Sequence, residues 1–142
     1  MIKRSGSAVW SGGLKDGKGA ISTQSGVLDK TQYGFNTRFE EGPGTNPEEL
    51  IGAAHAGCFT MALSGQLGEA GMTAEQLSTT ATVSLDKVEG GFSISAVHLT
   101  LIAKIPGANQ EAFEAAALRA KQNCPVSKLL NATITLDARL EA

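Results

Sequence analysis

The chain of 142 residues is of single-domain length, and with 42% hydrophobic and 18% charged residues it is too apolar for a disordered tail. Its 12 basic and 14 acidic residues give a net charge of −2 without runs of either sign, so nothing marks a surface for nucleic acid or anionic lipid. No apolar run approaches the ~20 residues that span a bilayer, and two cysteines are too few for a disulfide-dense secreted scaffold or a zinc site built on paired cysteine motifs.

At the N-terminus, Lys3 and Arg4 are followed by no apolar stretch of signal-peptide length, which gives the expectation of a cytoplasmic protein. A single domain over residues 1–142 is expected. Short β-type runs at about 7–11, 19–24 and 33–39, separated by Gly12-Gly13 and Lys15-Asp16-Gly17, predict an antiparallel meander. In its last strand Tyr33, Phe35, Thr37 and Phe39 share one face, predicted to pack inward, and Arg38 falls on the other.

Asn46, Pro47 and Glu49 then supply a helix start: a cap, a proline at the first helical position and an acid three past the cap. From Leu50 to Leu63 only His55 and Thr60 are polar, so the helix is apolar or small on every side and is predicted to be buried on every side. A small domain with one sheet covers one face of such a helix. Gly52, Ala53, Ala54, Ala56 and Gly57 would let a second copy of the helix approach closely, and a homodimer is expected.

Two long strands at about 77–88 and 91–104 are predicted to turn at Glu89-Gly90-Gly91, with a bulge or a change of covering face near 96–97, where the apolar phase switches from Phe92, Ile94 and Ala96 to Val97, Leu99 and Leu101. Phe113, Ala116, Ala117 and Ala120 mark a helix over 109–122. Asn123-Cys124-Pro125 interrupts it before a short second helix through Leu130, and 133–140 reads as a closing strand.

Chemistry can sit at few places. Cys58 is either a small core residue or a reactive thiol, and Cys124 either a cap position or a thiolate favoured at a helix start. His55, three residues before Cys58 and near the same helical face, could act as its base or simply pack. His98 has no ligand-like neighbour in sequence. Glu48 has no evident structural duty and starts about 15 Å from Cys58 along one helix. Were two helices to cross antiparallel near Ala53, Glu48 of one copy would come alongside Cys58 of the other. Arg38, alone among four arginines, is flanked by aromatics.

The segments Tyr33-Gly34-Phe35-Asn36-Thr37-Arg38-Phe39, Thr45 through Ala56 running into Cys58-Phe59, Val83-Ser84-Leu85-Asp86-Lys87-Val88, and Cys124-Pro125-Val126-Ser127 together resemble the OsmC and organic hydroperoxide resistance family. That resemblance implies an α+β fold, an intertwined dimer with antiparallel sheets around a long buried central helix. It implies a thiol peroxidase in which Cys58 matches the peroxidatic cysteine, Cys124 the resolving cysteine, Arg38 the arginine that contacts the reactive thiol, and Glu48 the glutamate that orients that arginine. It also implies that the Cys58–Cys124 disulfide is reopened by an external dithiol of the dihydrolipoyl type, carried by lipoylated proteins as transient partners, with no bound cofactor and no metal. One departure is Gly57, where the family pattern has alanine. Organic hydroperoxides are the expected substrates, favoured over hydrogen peroxide by an apolar channel near Phe35, Phe39, Phe59 and Met61. The alternatives are a non-catalytic thiol redox switch and a dimer that binds an apolar small molecule.

Overall fold

A computed structural model describes residues 1–141. The chain separates into two compact units, Met1–Leu50 and the remainder from Ile51, and each is built around its own sheet.

In the first unit β1 (Gly6–Ser11), β2 (Lys18–Thr23) and β3 (Thr31–Tyr33) form the expected antiparallel meander in that order. Gly19 lies opposite both Trp10 and Tyr33. A Cβ there would meet Tyr33 Cε1 at 2.5 Å and Trp10 Cε3 at 2.6 Å. Its absence lets the two rings meet edge to face across the middle strand, with centroids 5.6 Å apart.

The predicted strand through Phe39 is corrected here: β3 stops at Tyr33 and Phe35–Phe39 is a short helix, α1. The local chemistry of Gly34 and Thr37 decides it. The buried Thr37 hydroxyl accepts from the Gly34 N–H (2.8 Å) and donates to the Gly34 carbonyl (3.0 Å), an arrangement that closes a turn and ends the ladder. Phe35 and Phe39 share a face in either conformation, because a spacing of four fits both periods. In the helix their rings pack with centroids 4.9 Å apart.

The helix start falls where expected. In α2 (Pro47–Glu69) the Asn46 side chain accepts from the Glu49 N–H at 2.8 Å. The reciprocal half of the capping box is replaced, since the Glu49 carboxylate takes the Thr45 hydroxyl at 2.7 Å. Asn46 Nδ2 donates to the Thr37 carbonyl at 3.0 Å, tying the first turn of α2 to α1.

In the second unit the buried residues of α2 are Gly52, His55, Phe59, Leu63 and Leu67, a single stripe at spacings of three and four. The expectation of a helix buried on every side is therefore corrected for the single chain: Ala53, Ala54, Gly57, Met61, Ser64 and Gly65 are exposed, Met61 by 80%. The exposed side is made of small residues rather than charges, which is why no amphipathic signal marks it in the sequence.

The stripe packs in one core with alternate residues of β5 (Gly91–Lys104), namely Val97, Leu99, Leu101 and Ala103, all fully buried. Complete burial of each large side chain, such as Phe59 or Leu63, contributes about 1.5–3 kcal/mol. β5 is the central strand of three. It pairs antiparallel with β4 (Gln76–Val88) through a two-residue turn at Glu89-Gly90, with Gly90 at φ +88°. The bulge sits one residue before the expected place: Ser84 pairs Ala96 and Leu85 pairs Ile94, leaving Ser95 extra. Its hydroxyl bonds the Asp86 carboxylate.

β6 (Thr133–Glu141) runs parallel to β5, so this sheet is mixed rather than antiparallel throughout. Two helices, α3 (Gln110–Asn123) and α4 (Pro125–Leu129), make the crossover that a parallel neighbour requires. Phe113, Ala116, Ala117 and Ala120 of α3 close the core, as their spacing predicts. No helix among the described residues is long and apolar enough to cross a membrane.

Candidate active site

Four sequence-predicted residues fall into two pairs, one in each unit. In the first unit α1 carries Arg38 and the first turn of α2 carries Glu48. The guanidinium meets the carboxylate through two bonds, Nε to Oε1 at 3.0 Å and a terminal nitrogen to Oε2 at 3.1 Å. The side chains are 40% and 12% exposed. Glu48, which has no evident duty in the sequence, thus fixes the plane of the guanidinium, and Phe39 lies under it at 5.4 Å.

A cavity of about 320 Å³ opens beside this pair, lined by Trp10, Leu14, Tyr33, Phe35, Arg38 and Phe39. It is an apolar bowl with one cation in its wall. Phe35 and Phe39 thus line an apolar concavity, while two other residues of the predicted channel go elsewhere. Phe59 is fully buried in the core of the second unit, and Met61 is exposed beside a different cleft lined by Ala56, Gly57 and Thr60.

In the second unit Cys58 is half-buried on α2 and Cys124 is fully buried at the cap of α4, where it accepts the Ser127 N–H at 3.3 Å. The two thiols are neighbours, close enough for each to act on the other's ionisation. Burial pushes the Cys58 thiol above its ordinary range; a hydrogen bond from the Val126 backbone pulls the other way, and the neighbouring Cys124 pushes it up again, so the net displacement is upward. Left to these groups, Cys58 is mostly protonated at neutral pH.

His55 does not serve Cys58 directly. Its ring is fully buried, its Nε2 lies 2.7 Å from the Ser127 hydroxyl, and its Nδ1 has no partner among the described residues. Burial lowers its pKa, so the ring is neutral at pH 7. The Cys124 thiol in turn donates to the Ser127 hydroxyl at 3.2 Å. Ser127 is the residue that reading the sequence missed. A signal for it exists: a Cys-Pro helix start places the third residue past the cap back against the cap side chain. His98, by contrast, spends its Nδ1 on Thr135 at 2.6 Å on an exposed part of the sheet. Among the described residues no group of three or more His, Cys, Asp and Glu side chains is arranged to hold a metal ion.

An α+β chain with a long helix over a mixed sheet, and two neighbouring thiols, one on that helix and one at a Cys-Pro cap, defines a dithiol protein. Residues 40–139 match the model of the family described as OsmC-like protein. The chain is 55% identical over 141 residues to Peroxiredoxin OsmC of Escherichia coli (strain K12), covering 99% of each. It is 30% identical over 124 residues to Organic hydroperoxide resistance protein OhrB of Bacillus subtilis (strain 168), covering 87% of this chain and 88% of that one. The crystal structure of the Bacillus subtilis OhrB superposes with a TM-score of 0.68 at 28% identity, over 96% of this chain and 98% of that one. The chain belongs to the OsmC family.

Proposed function

We propose that the protein is a cysteine-based thiol peroxidase that reduces organic hydroperoxides, and hydrogen peroxide less well, to alcohols. The observation that carries this reading is the placing of a half-buried Cys58 next to a fully buried Cys124 in a chain whose relatives are named peroxiredoxin and organic hydroperoxide resistance protein. The Cys58 thiolate attacks one peroxide oxygen, the O–O bond breaks, and the other oxygen leaves as the alcohol after taking a proton. Cys58 is left as a sulfenic acid. Cys124 then displaces its hydroxyl as water, forming a Cys58–Cys124 disulfide.

Arg38 is assigned the charge that this chemistry needs. A thiol of ordinary pKa is only a few per cent ionised at pH 7, so full ionisation raises the reactive fraction roughly thirtyfold, and a thiol pushed up by burial has more to gain. A guanidinium also stabilises the negative charge that develops on the departing oxygen. The two-pronged grip of Glu48 supports this assignment because it aims the cation in advance. The apolar bowl beside Arg38 supports the preference for organic substrates.

A homodimer is part of the proposal. The exposed small-residue side of α2 gives a second copy a surface for close helix approach. An external dithiol of the dihydrolipoyl type, carried on a lipoylated protein, would reopen the disulfide. Such a cycle requires a reducing compartment, which supports a cytoplasmic location.

The test is steady-state turnover of cumene hydroperoxide and hydrogen peroxide with dihydrolipoamide as the only reductant. Sustained alcohol formation, faster for the organic peroxide and absent in Cys58→Ser, is expected. Oxidation of both thiols without repeated turnover would instead identify a redox switch.

A further inference from the structure

The cycle leaves one buried titratable residue without a task. His55 lies in the apolar stripe of α2, fully buried, with one ring nitrogen unpartnered. A leucine or methionine there would keep the stripe and avoid the unmet hydrogen bond, so packing alone does not account for a histidine.

Its other nitrogen begins a line of neighbouring groups. His55 Nε2 lies 2.7 Å from Ser127 Oγ, Ser127 Oγ accepts the Cys124 thiol at 3.2 Å, and Cys124 is a neighbour of Cys58. A serine hydroxyl has one proton. Because Ser127 accepts from Cys124, its own proton is free to be donated, and Nε2 accepts it in the tautomer that carries the ring proton on Nδ1. We propose that Ser127 and His55 form a proton relay for Cys124, taking the thiol proton when Cys124 closes on the Cys58 sulfenic acid. This proposal rests on the peroxidase reading above.

The step balances. The Cys124 S–H bond breaks, and the sulfur's electron pair forms the new S–S bond. The S–O bond of the Cys58 sulfenic acid breaks with its pair on the hydroxide. The Cys58 sulfur is reduced by the amount that the Cys124 sulfur is oxidised. The Cys124 proton passes to Ser127 Oγ as the Ser127 proton passes to His55 Nε2. The imidazolium then returns its proton through Ser127 to the departing hydroxide, which leaves as water. Complete burial keeps the Cys124 thiol from bulk water, so an internal acceptor has a task that solvent does not perform. The Ser127 backbone N–H, donating to Cys124 Sγ at 3.3 Å, holds the sulfur while the hydroxyl takes its proton. Desolvation disfavours the charged imidazole, so the proton is held briefly and handed on.

Ser127 touches the reacting sulfur; His55 acts through it and is a positioning residue. The experiment separates the two chemical steps in the full-length reduced protein. One equivalent of cumene hydroperoxide is added, alcohol release is timed, and samples are quenched with dimedone to follow the Cys58 sulfenic acid into the disulfide by intact mass. In Ser127→Ala and His55→Gln, alcohol release is expected to stay within about threefold of wild type, while disulfide closure slows by about 10²-fold, the lower end of a general-base contribution. Gln keeps a hydrogen-bond acceptor near the Nε2 position and removes the basicity. Ser127→Thr, which keeps the hydroxyl, is expected to restore closure to within about fivefold.

Normal alcohol release certifies that each variant is folded around its nucleophile. Closure at the wild-type rate in both Ser127→Ala and His55→Gln would overturn the relay and leave the peroxidase reading standing. Alcohol release slowing in step with closure would overturn it too, by making the pair structural. No alcohol from the wild-type protein would remove the peroxidase reading and the relay together.

Discussion

The charged pair on α1 and α2 and the thiol cluster around α4 obtain their properties by opposite means. Arg38 and Glu48 keep their charges partly in water and gain direction from a two-pronged contact. An ion pair with its arginine 40% exposed contributes about 1 kcal/mol or less to stability, so its worth lies in aiming a cation rather than in holding the fold. Cys58, Cys124, Ser127 and His55 are held in or beside a dry core, where burial sets protonation: it pushes the Cys58 thiol up and keeps the His55 ring neutral. The first pair supplies a cation and no nucleophile; the four residues of the second cluster supply nucleophiles and no fixed charge. The chemistry proposed here needs both.

That contrast can be broken by removing either side. Cys58→Ser is expected to lower peroxide turnover by on the order of 10³-fold or more, measured as alcohol formation with excess dithiol. Arg38→Ala is expected to cost about 10²–10³-fold in the same assay, because it removes charge stabilisation from both the thiolate and the leaving oxygen. The rate–pH profile sharpens this. The reactive form is deprotonated, so the rate rises with pH as the thiol ionises, and burial pushes that rise to higher pH. Arg38→Ala is expected to move the rise to still higher pH than in the wild-type protein, with part of the loss recovered in alkaline buffer. An identical profile in the two proteins would dissociate Arg38 from Cys58 ionisation.

Glu48→Gln is expected to cost on the order of 10-fold, since the guanidinium stays but loses one charged prong and its fixed plane. A loss as large as that of Arg38→Ala would mean that Glu48 has a chemical task of its own. The smallest effect concerns stability in acid. The folded-state pKa of His55 is lowered, so the unfolded chain takes up the proton first; the stability that the neutral buried ring contributes is present above about pH 6.5 and is lost as the pH falls below it. Comparing urea midpoints at pH 7.5 and pH 5 in wild type and His55→Gln checks this, with a smaller acid loss expected in the variant.

The two regions also differed in how far they could be read from residues alone. β4, its Glu89-Gly90 turn and β5 follow from a period of two and a turn dipeptide, and the bulge fell at Ser95, beside the phase switch that announces it. The stretch Tyr33–Phe39 was misread because aromatics four apart satisfy strand and helix alike, and a hydrogen-bonded turn between Gly34 and Thr37 chose the helix. α2 was read as apolar all round because alanine and glycine on its open side look like core. Cys58, Cys124, Arg38 and Glu48 stand out through four linked segments, and the structure sets them side by side as two pairs. The His55–Ser127 contact joins residues 72 positions apart, and no local pattern reports such a pairing.

The most direct test of the central claim is a single turnover on reduced protein with substoichiometric cumene hydroperoxide, reading alcohol, free thiols and intact mass together. The account predicts one alcohol per peroxide, two thiols lost in each reacted chain and a mass lower by about two hydrogens, the signature of a Cys58–Cys124 disulfide. Wild-type protein that releases no alcohol and retains both thiols would contradict it.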